Sequence, residues 1–224
     1  MSQKADLQIQ NRFANVLKSQ TFKNIVKLFD LDKKSVLDMG CAYGEFLINF
    51  GSGSVGITIS ETEMEYGKSK GLDIRYGNVE TDGLPLQKQF DVIFANNLLE
   101  HLYSPHNFLC QIKKYLKPNG ILILGVPCIP KITSLLRLGK FRGSLAVEHI
   151  NFFTRDTLIK TVESGGWKIV AVRGFHFINK VFDRLLDPIC PHFYVIATID
   201  HNFKYHQRRM KELVGYSELL KTEL

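Results

Sequence analysis

The chain has 224 residues, 45% apolar and 23% charged, with a formal charge of +7 from 29 Lys+Arg against 22 Asp+Glu. That length allows one large domain or two small ones with a full core, while no run of roughly 18 apolar residues exists to span a bilayer. MSQKADLQIQNRF lacks the apolar centre of a secretory signal, and Cys41, Cys110, Cys128 and Cys190 form no CxxC pair. Reduced thiols in a cytoplasmic protein are therefore expected, with no structural zinc.

The charge is uneven. Residues 1–34 carry 7 basic and 3 acidic groups, 35–126 carry 7 and 10, 127–200 carry 10 and 6, and 201–224 carry 5 and 3. The middle is acidic and its flanks are basic, so the excess does not read as a stripe for nucleic acid.

In chain order, Leu7, Phe13, Val16, Leu17, Ile25, Val26 and Phe29 recur at helical intervals and predict one or two helices over 5–29. Strands are expected at 35–39, 54–59, 72–76, 90–95 and 121–126. Helices are expected at 43–50, 61–70 and 105–116, and Lys117-Pro118-Asn119-Gly120 is a turn signal. Beyond Pro127 the rhythm breaks, then resumes with a helix near 154–164 and strands at 167–173 and 193–199. A helical tail is expected over about 204–220. Strands alternating with helices predict an α/β fold with a doubly wound, Rossmann-like, seven-stranded, mostly parallel sheet and helices on both faces. The expected organisation is a helical lead-in at 1–34, a core domain at 35–200 and a tail at 201–224. Insertions fall at 127–150 and 175–192; Phe175, Phe177, Ile178, Val181 and Phe182 make the second an apolar wall.

The chemistry concentrates in Val36-Leu37-Asp38-Met39-Gly40-Cys41-Ala42-Tyr43-Gly44-Glu45-Phe46, an acid-ended strand followed by a Gly-x-small-x-Gly turn. Such a turn lets backbone approach a ligand, although a plain tight βα turn has the same pattern. Ala42 and Glu45 break the G-x-G-x-x-G fingerprint of dinucleotide sites, and two acids beside the turn suit a cation better than a pyrophosphate.

Over about 36–175 the chain resembles the class I S-adenosylmethionine-dependent methyltransferases, of the small-molecule and sugar-modifying kind. VLDMGCAYGEF resembles their first motif, with Ala42 where a glycine is usual; FDVIFANNLLEHL resembles the fourth-strand motif. YLKPNGILIL resembles the turn into the fifth strand, and EHINFFTRDTLIKTVESGGWKI a late motif. The resemblance implies S-adenosyl-L-methionine as cofactor and S-adenosyl-L-homocysteine as product. It implies that Gly40, Cys41, Ala42 and Gly44 hold the methionine moiety and that Asp38 orients the loop or the amine; a structural capping role is the alternative for Asp38. Most relatives end the second strand in an acid, whereas Gly56-Ile57-Thr58-Ile59-Ser60 resembles the cyclopropane fatty acid synthases locally. That likeness places Thr58, Ile59 and Ser60 at the adenosine and Glu63 at the ribose hydroxyls, unless Glu63 is only a charge on a solvated helix. Asn78 stands where relatives carry an aspartate for the adenine amino group, followed by Val79, and Asn96 approaches the cofactor beyond the fourth strand.

For the acceptor, His101 and His149 are the candidate bases, each preceded by a glutamate, or else they tie loops down. Asn96-Asn97-Leu98-Leu99 is not the Pro-Pro-aromatic sequence of nucleobase amino-methylating enzymes. Pro127-Cys128 lies after the wrong strand for a cytosine C5 nucleophile. The acid-free segment 127–147 suggests substrate contacts at Lys131, Arg137 and Arg142, with Phe153 beside them, and serves as lid, anion clamp or membrane-surface patch. O-methylation of a small molecule, sugar or lipid-linked glycan is expected. Methylation of a quinone or lipid precursor at a membrane surface, and a non-catalytic cofactor-binding domain, are the alternatives. No metal is expected.

Overall fold

A computed structural model describes residues 3–81, 83–132, 148–174, 181 and 185–205. The N-terminal apolar pattern forms two helices, α1 (Gln3–Lys18) and α2 (Gln20–Phe29). Ser19 divides them, its hydroxyl accepting the Phe22 N–H as the cap of α2.

Seven short apolar runs become β1 (Val36–Met39), β2 (Val55–Thr58), β3 (Ile74–Tyr76), β4 (Phe90–Asn96), β5 (Leu116–Pro127), β6 (Trp167–Arg173) and β7 (His192–Ile199). They form one sheet in the order β3-β2-β1-β4-β5-β7-β6. All pairings are parallel except those of β7, which runs against both β5 and β6. α3 (Glu61–Ser69), α4 (Pro105–Gln111) and α5 (Arg155–Ser164) complete the regular elements among the described residues. β1 and β2 are buried throughout, as strands covered on both faces must be. Phe22 and Ile25 of α2 pack with Val36, Val92 and Phe94 on one face, while Phe108 of α4 and Leu158 of α5 pack with Leu37, Ile93 and Leu124 on the other.

Three expectations are corrected. Residues 43–50 form turns and a single 3-10 turn at Leu47–Asn49, not a helix. The reason is local: Ala42 and Gly44 take φ of 47° and 89°, which a right-handed helix cannot accommodate. Lys117-Pro118-Asn119-Gly120 lies inside β5 as an outward bulge, because β4 moves from Phe90 to Val92 while β5 moves from Leu116 to Ile121. The helix expected at 105–116 ends at Gln111 and tightens into a 3-10 turn over Ile112–Tyr115. The expected tail beyond Tyr205, and most of the insertions at 127–150 and 175–192, lie outside the described residues.

Ala42 carries a testable cost. A left-handed alanine is strained by roughly 1–2 kcal/mol, against roughly 0.5–1 kcal/mol of extra backbone entropy for glycine. Ala42→Gly is therefore expected to stabilise the fold by about 0.5–1 kcal/mol in urea unfolding. An unchanged or lowered midpoint would show that the turn relieves the strain elsewhere.

Candidate active site

Strand order reverses between β1 and β4, and ligands of open α/β sheets bind beyond the carboxyl ends at such a point. The predicted cofactor residues line that edge: Asp38 to Gly44 after β1, Thr58 to Glu63 after β2, Asn78 and Val79 after β3, and Asn96 closing β4.

The glycine turn is fastened from beneath. The N–H groups of Gly40 and Cys41 both donate to the Ile57 carbonyl at 3.0 and 2.9 Å, and the Gly44 N–H donates to the Cys41 carbonyl. Those three donors are used inside the protein, so they do not serve a ligand. The Cys41 thiol is buried, and burial together with the nearby Asp38, Glu63 and Glu45 raises its pKa far above the ordinary value. It is a packing group rather than a nucleophile. Asp38 is buried, and burial followed by repulsion from Glu45 raises its pKa.

Three buried oxygens near this edge have no hydrogen-bond donor among the described residues: Asp38 Oδ2, Glu45 Oε2 and Asn96 Oδ1. All are acceptors. Buried acceptors left unpaired are costly, so the edge is suited to a ligand rich in donors and positive charge. No side chain at position 125 could share this space, since a Cβ on Gly125 would meet Asn96 Oδ1, His192 and Tyr194.

After β2, Thr58 donates its hydroxyl to Glu63 Oε2 at 2.6 Å, and Ser60 caps α3 by accepting the Glu63 N–H. Glu63 is thus held toward the strand end rather than free on a solvated face. The Ile59 side chain is exposed. Asn78 Oδ1 accepts the Glu80 N–H at 2.9 Å, which closes the turn. The oxygen keeps a second lone pair for an adenine amino group, and the amide N–H groups are donors to a ring nitrogen. Val79 points its side chain into the core.

His101 and His149 come together, with ring centroids 4.9 Å apart and planes at 80°. The chain is strapped there by the Ile150 and Asn151 N–H groups, which both donate to the Glu100 carbonyl, and by the Asn151 amide on the Leu102 carbonyl. His101 Nδ1 lies 3.1 Å from the Glu148 carbonyl, an acceptor only, so this nitrogen carries the proton. Its Nε2 lone pair then faces Glu100 Oε1 at 3.8 Å. Glu100 is 1% exposed and neither carboxylate oxygen has a hydrogen bond. Burial pushes its pKa up, opposed by its own backbone N–H and the two histidines. Two acceptors facing each other call for a cation between them, a proton or a metal; one donor atom from each of Glu100, His101 and His149 lies within 4.8 Å of the others.

The predicted acceptor contacts fare differently. Phe153 is buried in the main core and bridges Cys128, so it packs rather than lining a mouth. Lys131 is paired with Asp156 at 3.0 Å on the first turn of α5. Arg137 and Arg142 lie outside the described residues.

Sequence reasoning missed three participants. Arg12 of α1 reaches Glu45, Asn97 beyond β4 takes φ of 52°, and His192 Nε2 donates to Asn97 Oδ1 at 2.9 Å. Burial pushes His192 down to about 4, leaving a neutral ring. The arginine-acid spacing of 33 residues has no local signature; the histidine opens a strand that had signalled only packing.

Known proteins bear on this geometry. The sequence model of a family described as Methyltransferase domain matches residues 11–172. The mitochondrial ubiquinone biosynthesis O-methyltransferase of Schizosaccharomyces pombe is 26% identical over 159 residues, covering 63% of this chain and 57% of that protein. The ubiquinone biosynthesis O-methyltransferase of Histophilus somni is 34% identical over 106 residues, covering 41% of this chain and 44% of that protein. The chain thus spans about half the length of these curated relatives. Among solved structures, a S-adenosylmethionine-dependent methyltransferase of Thermotoga maritima superposes with a TM-score of 0.61 at 16% identity, covering 88% of this chain and 97% of that one. One from Clostridium acetobutylicum gives 0.60 at 12%, covering 80% and 89%. At these identities the two structures establish the fold.

Proposed function

The chain belongs to the methyltransferase domain family, and from that premise we propose that it transfers a methyl group from S-adenosylmethionine to a hydroxyl oxygen of a small molecule. The observation that carries the reading is the His101–His149–Glu100 cluster, placed just past the strand end where Asp38, Glu45 and Asn96 leave three buried acceptors unpaired. The residues present fit the cofactor: acidic oxygens for its positive end, Glu63 for ribose hydroxyls, and Asn78 amide donors for adenine.

When bound, the cofactor supplies an electrophilic methyl on a sulfonium. Displacement at that methyl is in line, so the chain has to position the acceptor and take its proton. His101 Nε2 faces inward to Glu100, which leaves His149 as the ring for the acceptor hydroxyl. His149 accepts the proton, and the Glu100 carboxylate, with an oxygen within 4.8 Å of a ring nitrogen, stabilises the imidazolium that results.

A phenolic hydroxyl of a quinone precursor is the first acceptor to test, because the curated relatives are ubiquinone O-methyltransferases. Sugar and lipid-linked glycan hydroxyls follow. An anionic acceptor, or contact with a membrane surface, rests on the acid-free sequence 127–147. No described helix is long and apolar enough to cross a membrane. Four free cysteines support a reducing compartment such as the cytoplasm.

Calorimetric titration with S-adenosylhomocysteine should give saturable binding, and 3,4-dihydroxybenzoate or a short-chain prenylated catechol should yield methylated product. Absence of cofactor binding sinks the reading. Dialysis against a chelator is expected to leave turnover unchanged; a loss restored by Zn²⁺ would reassign the histidine cluster as a metal centre.

A further inference from the structure

Asn97 is the first residue past β4, and its left-handed φ of 52° is one that asparagine tolerates better than most residues. Its N–H donates to the Gly125 carbonyl at 2.8 Å, which fixes the backbone to β5. The side chain is fixed from β7. His192 Nε2 lies 2.9 Å from Asn97 Oδ1, and the His192 ring rests against Tyr194 with centroids 4.9 Å apart. An amide oxygen only accepts, so the one proton of this neutral ring sits on Nε2.

That bond sets the direction of the amide. Oδ1 is engaged by His192, whereas the two N–H groups of Nδ2 have no acceptor among the described residues and Asn97 is exposed. Its neighbours in the chain reach both halves of the site. Leu98 packs over the glycine turn, where a Cβ on Gly40 would stand 3.0 Å from Leu98 Cδ1, and Glu100 and His101 belong to the histidine cluster. Two unengaged donors of fixed orientation thus sit on the segment that links the cofactor turn to the base. They complement an oxygen that only accepts hydrogen bonds.

We propose that Asn97 selects the methyl acceptor by donating from Nδ2 to a carboxylate or carbonyl oxygen on the molecule that carries the reacting hydroxyl. His192 is the positioning residue, because it holds the amide with its oxygen inward and its N–H groups outward. A site that presents donors in this way discriminates against molecules lacking the matching oxygen. The inference rests on hydroxyl methylation at this site.

Catechol, 3,4-dihydroxybenzoate and 3,4-dihydroxybenzaldehyde share the same pair of hydroxyls and differ in the oxygen offered to Asn97. Asn97→Asp keeps the shape, the tolerance of a left-handed φ and an oxygen for His192, and turns the outward N–H groups into a second oxygen. Measured against wild type on each probe, it is expected to lower kcat/KM by about 10- to 100-fold on the benzoate and less than about threefold on catechol. Loss on the benzoate alone identifies a carboxylate, and loss on the aldehyde as well identifies any carbonyl oxygen. His192→Phe keeps a ring against Tyr194 but has no donor, and should cost about 3- to 10-fold on the benzoate; His192→Gln carries an N–H of similar reach and should restore most of it. Equal losses on catechol and the benzoate, or no loss on either, overturn the assignment, as does a wild-type enzyme that uses catechol but rejects the benzoate. Equal results for Phe and Gln at position 192 overturn the positioning role. Wild-type protein that methylates none of the three overturns hydroxyl methylation itself.

Discussion

Replacing His149 by alanine is expected to lower kcat by about 100- to 1000-fold while leaving S-adenosylhomocysteine affinity within about twofold. The ring sits past the carboxyl end of β4, against His101 and beside a carboxylate that is buried without a hydrogen bond. Removing it deletes the only proton acceptor assigned to the methyl acceptor's hydroxyl, but none of the groups assigned to the cofactor. Single-turnover rates with a catechol acceptor, together with cofactor titration, measure the two effects separately. Retained turnover would strip His149 of its role. A parallel loss of cofactor affinity would instead make it a prop for the loop at 148–151. Glu100→Gln should give a smaller loss, since it removes charge from beneath the base and keeps the shape.

The second large effect is expected at Gly56, which is buried in β2 directly beneath the glycine turn. A Cβ there would stand 2.5 Å from Cys41 Sγ, 2.9 Å from Cys41 Cβ and 3.0 Å from Leu47. Cys41 cannot withdraw, because its N–H and that of Gly40 are bonded to Ile57, the residue after Gly56. Gly56→Ala is therefore expected to cost about 2–3 kcal/mol in denaturant unfolding, in the range of core overpacking, and to weaken S-adenosylhomocysteine at least about 10-fold by lifting the turn. Adding Cys41→Gly removes the opposing atoms and should restore part of both losses. If the single variant binds cofactor normally, the turn does not depend on its seat over β2.

These two sites also mark how far the sequence could be read. Strands β4, β6 and β7 fall within a residue or so of their expected positions, because runs of branched and aromatic side chains mark them, buried in β4 and β7 and anchored by Trp167 in β6. The residues proposed for the cofactor were placed in the sequence by those strand ends, where ligands of open α/β sheets bind. What failed was backbone geometry set by contacts across the chain. Ala42 gives no hint in composition that it takes a left-handed conformation, and Gly44, at φ 89°, breaks the helix expected over 43–50. The bond from the Glu80 N–H to the Asn78 carbonyl had no signature either. Phe153 stood next to His149 in a motif-rich stretch, yet its alternate neighbour Cys128 draws it into the core. Arg12 was invisible because its partner is on another element, and side-chain pairs at such separation leave no periodic trace. The pairing of His101 with His149 lay between these cases: both were named from their Glu-His contexts, and only the fold could bring them together.

The reversed strand sets which end of the chain meets the carboxyl edge of the sheet. β7 enters the sheet beside β5 with its first residue paired to Pro127, so its N-terminal end arrives where the parallel strands finish. His192 thereby reaches Asn97, the residue beyond β4, from a strand running against its neighbours. The carboxyl edge of the sheet is thus supplied by chain of opposite polarity on its two sides, by the finishing ends of the parallel strands on one and by the starting end of β7 on the other.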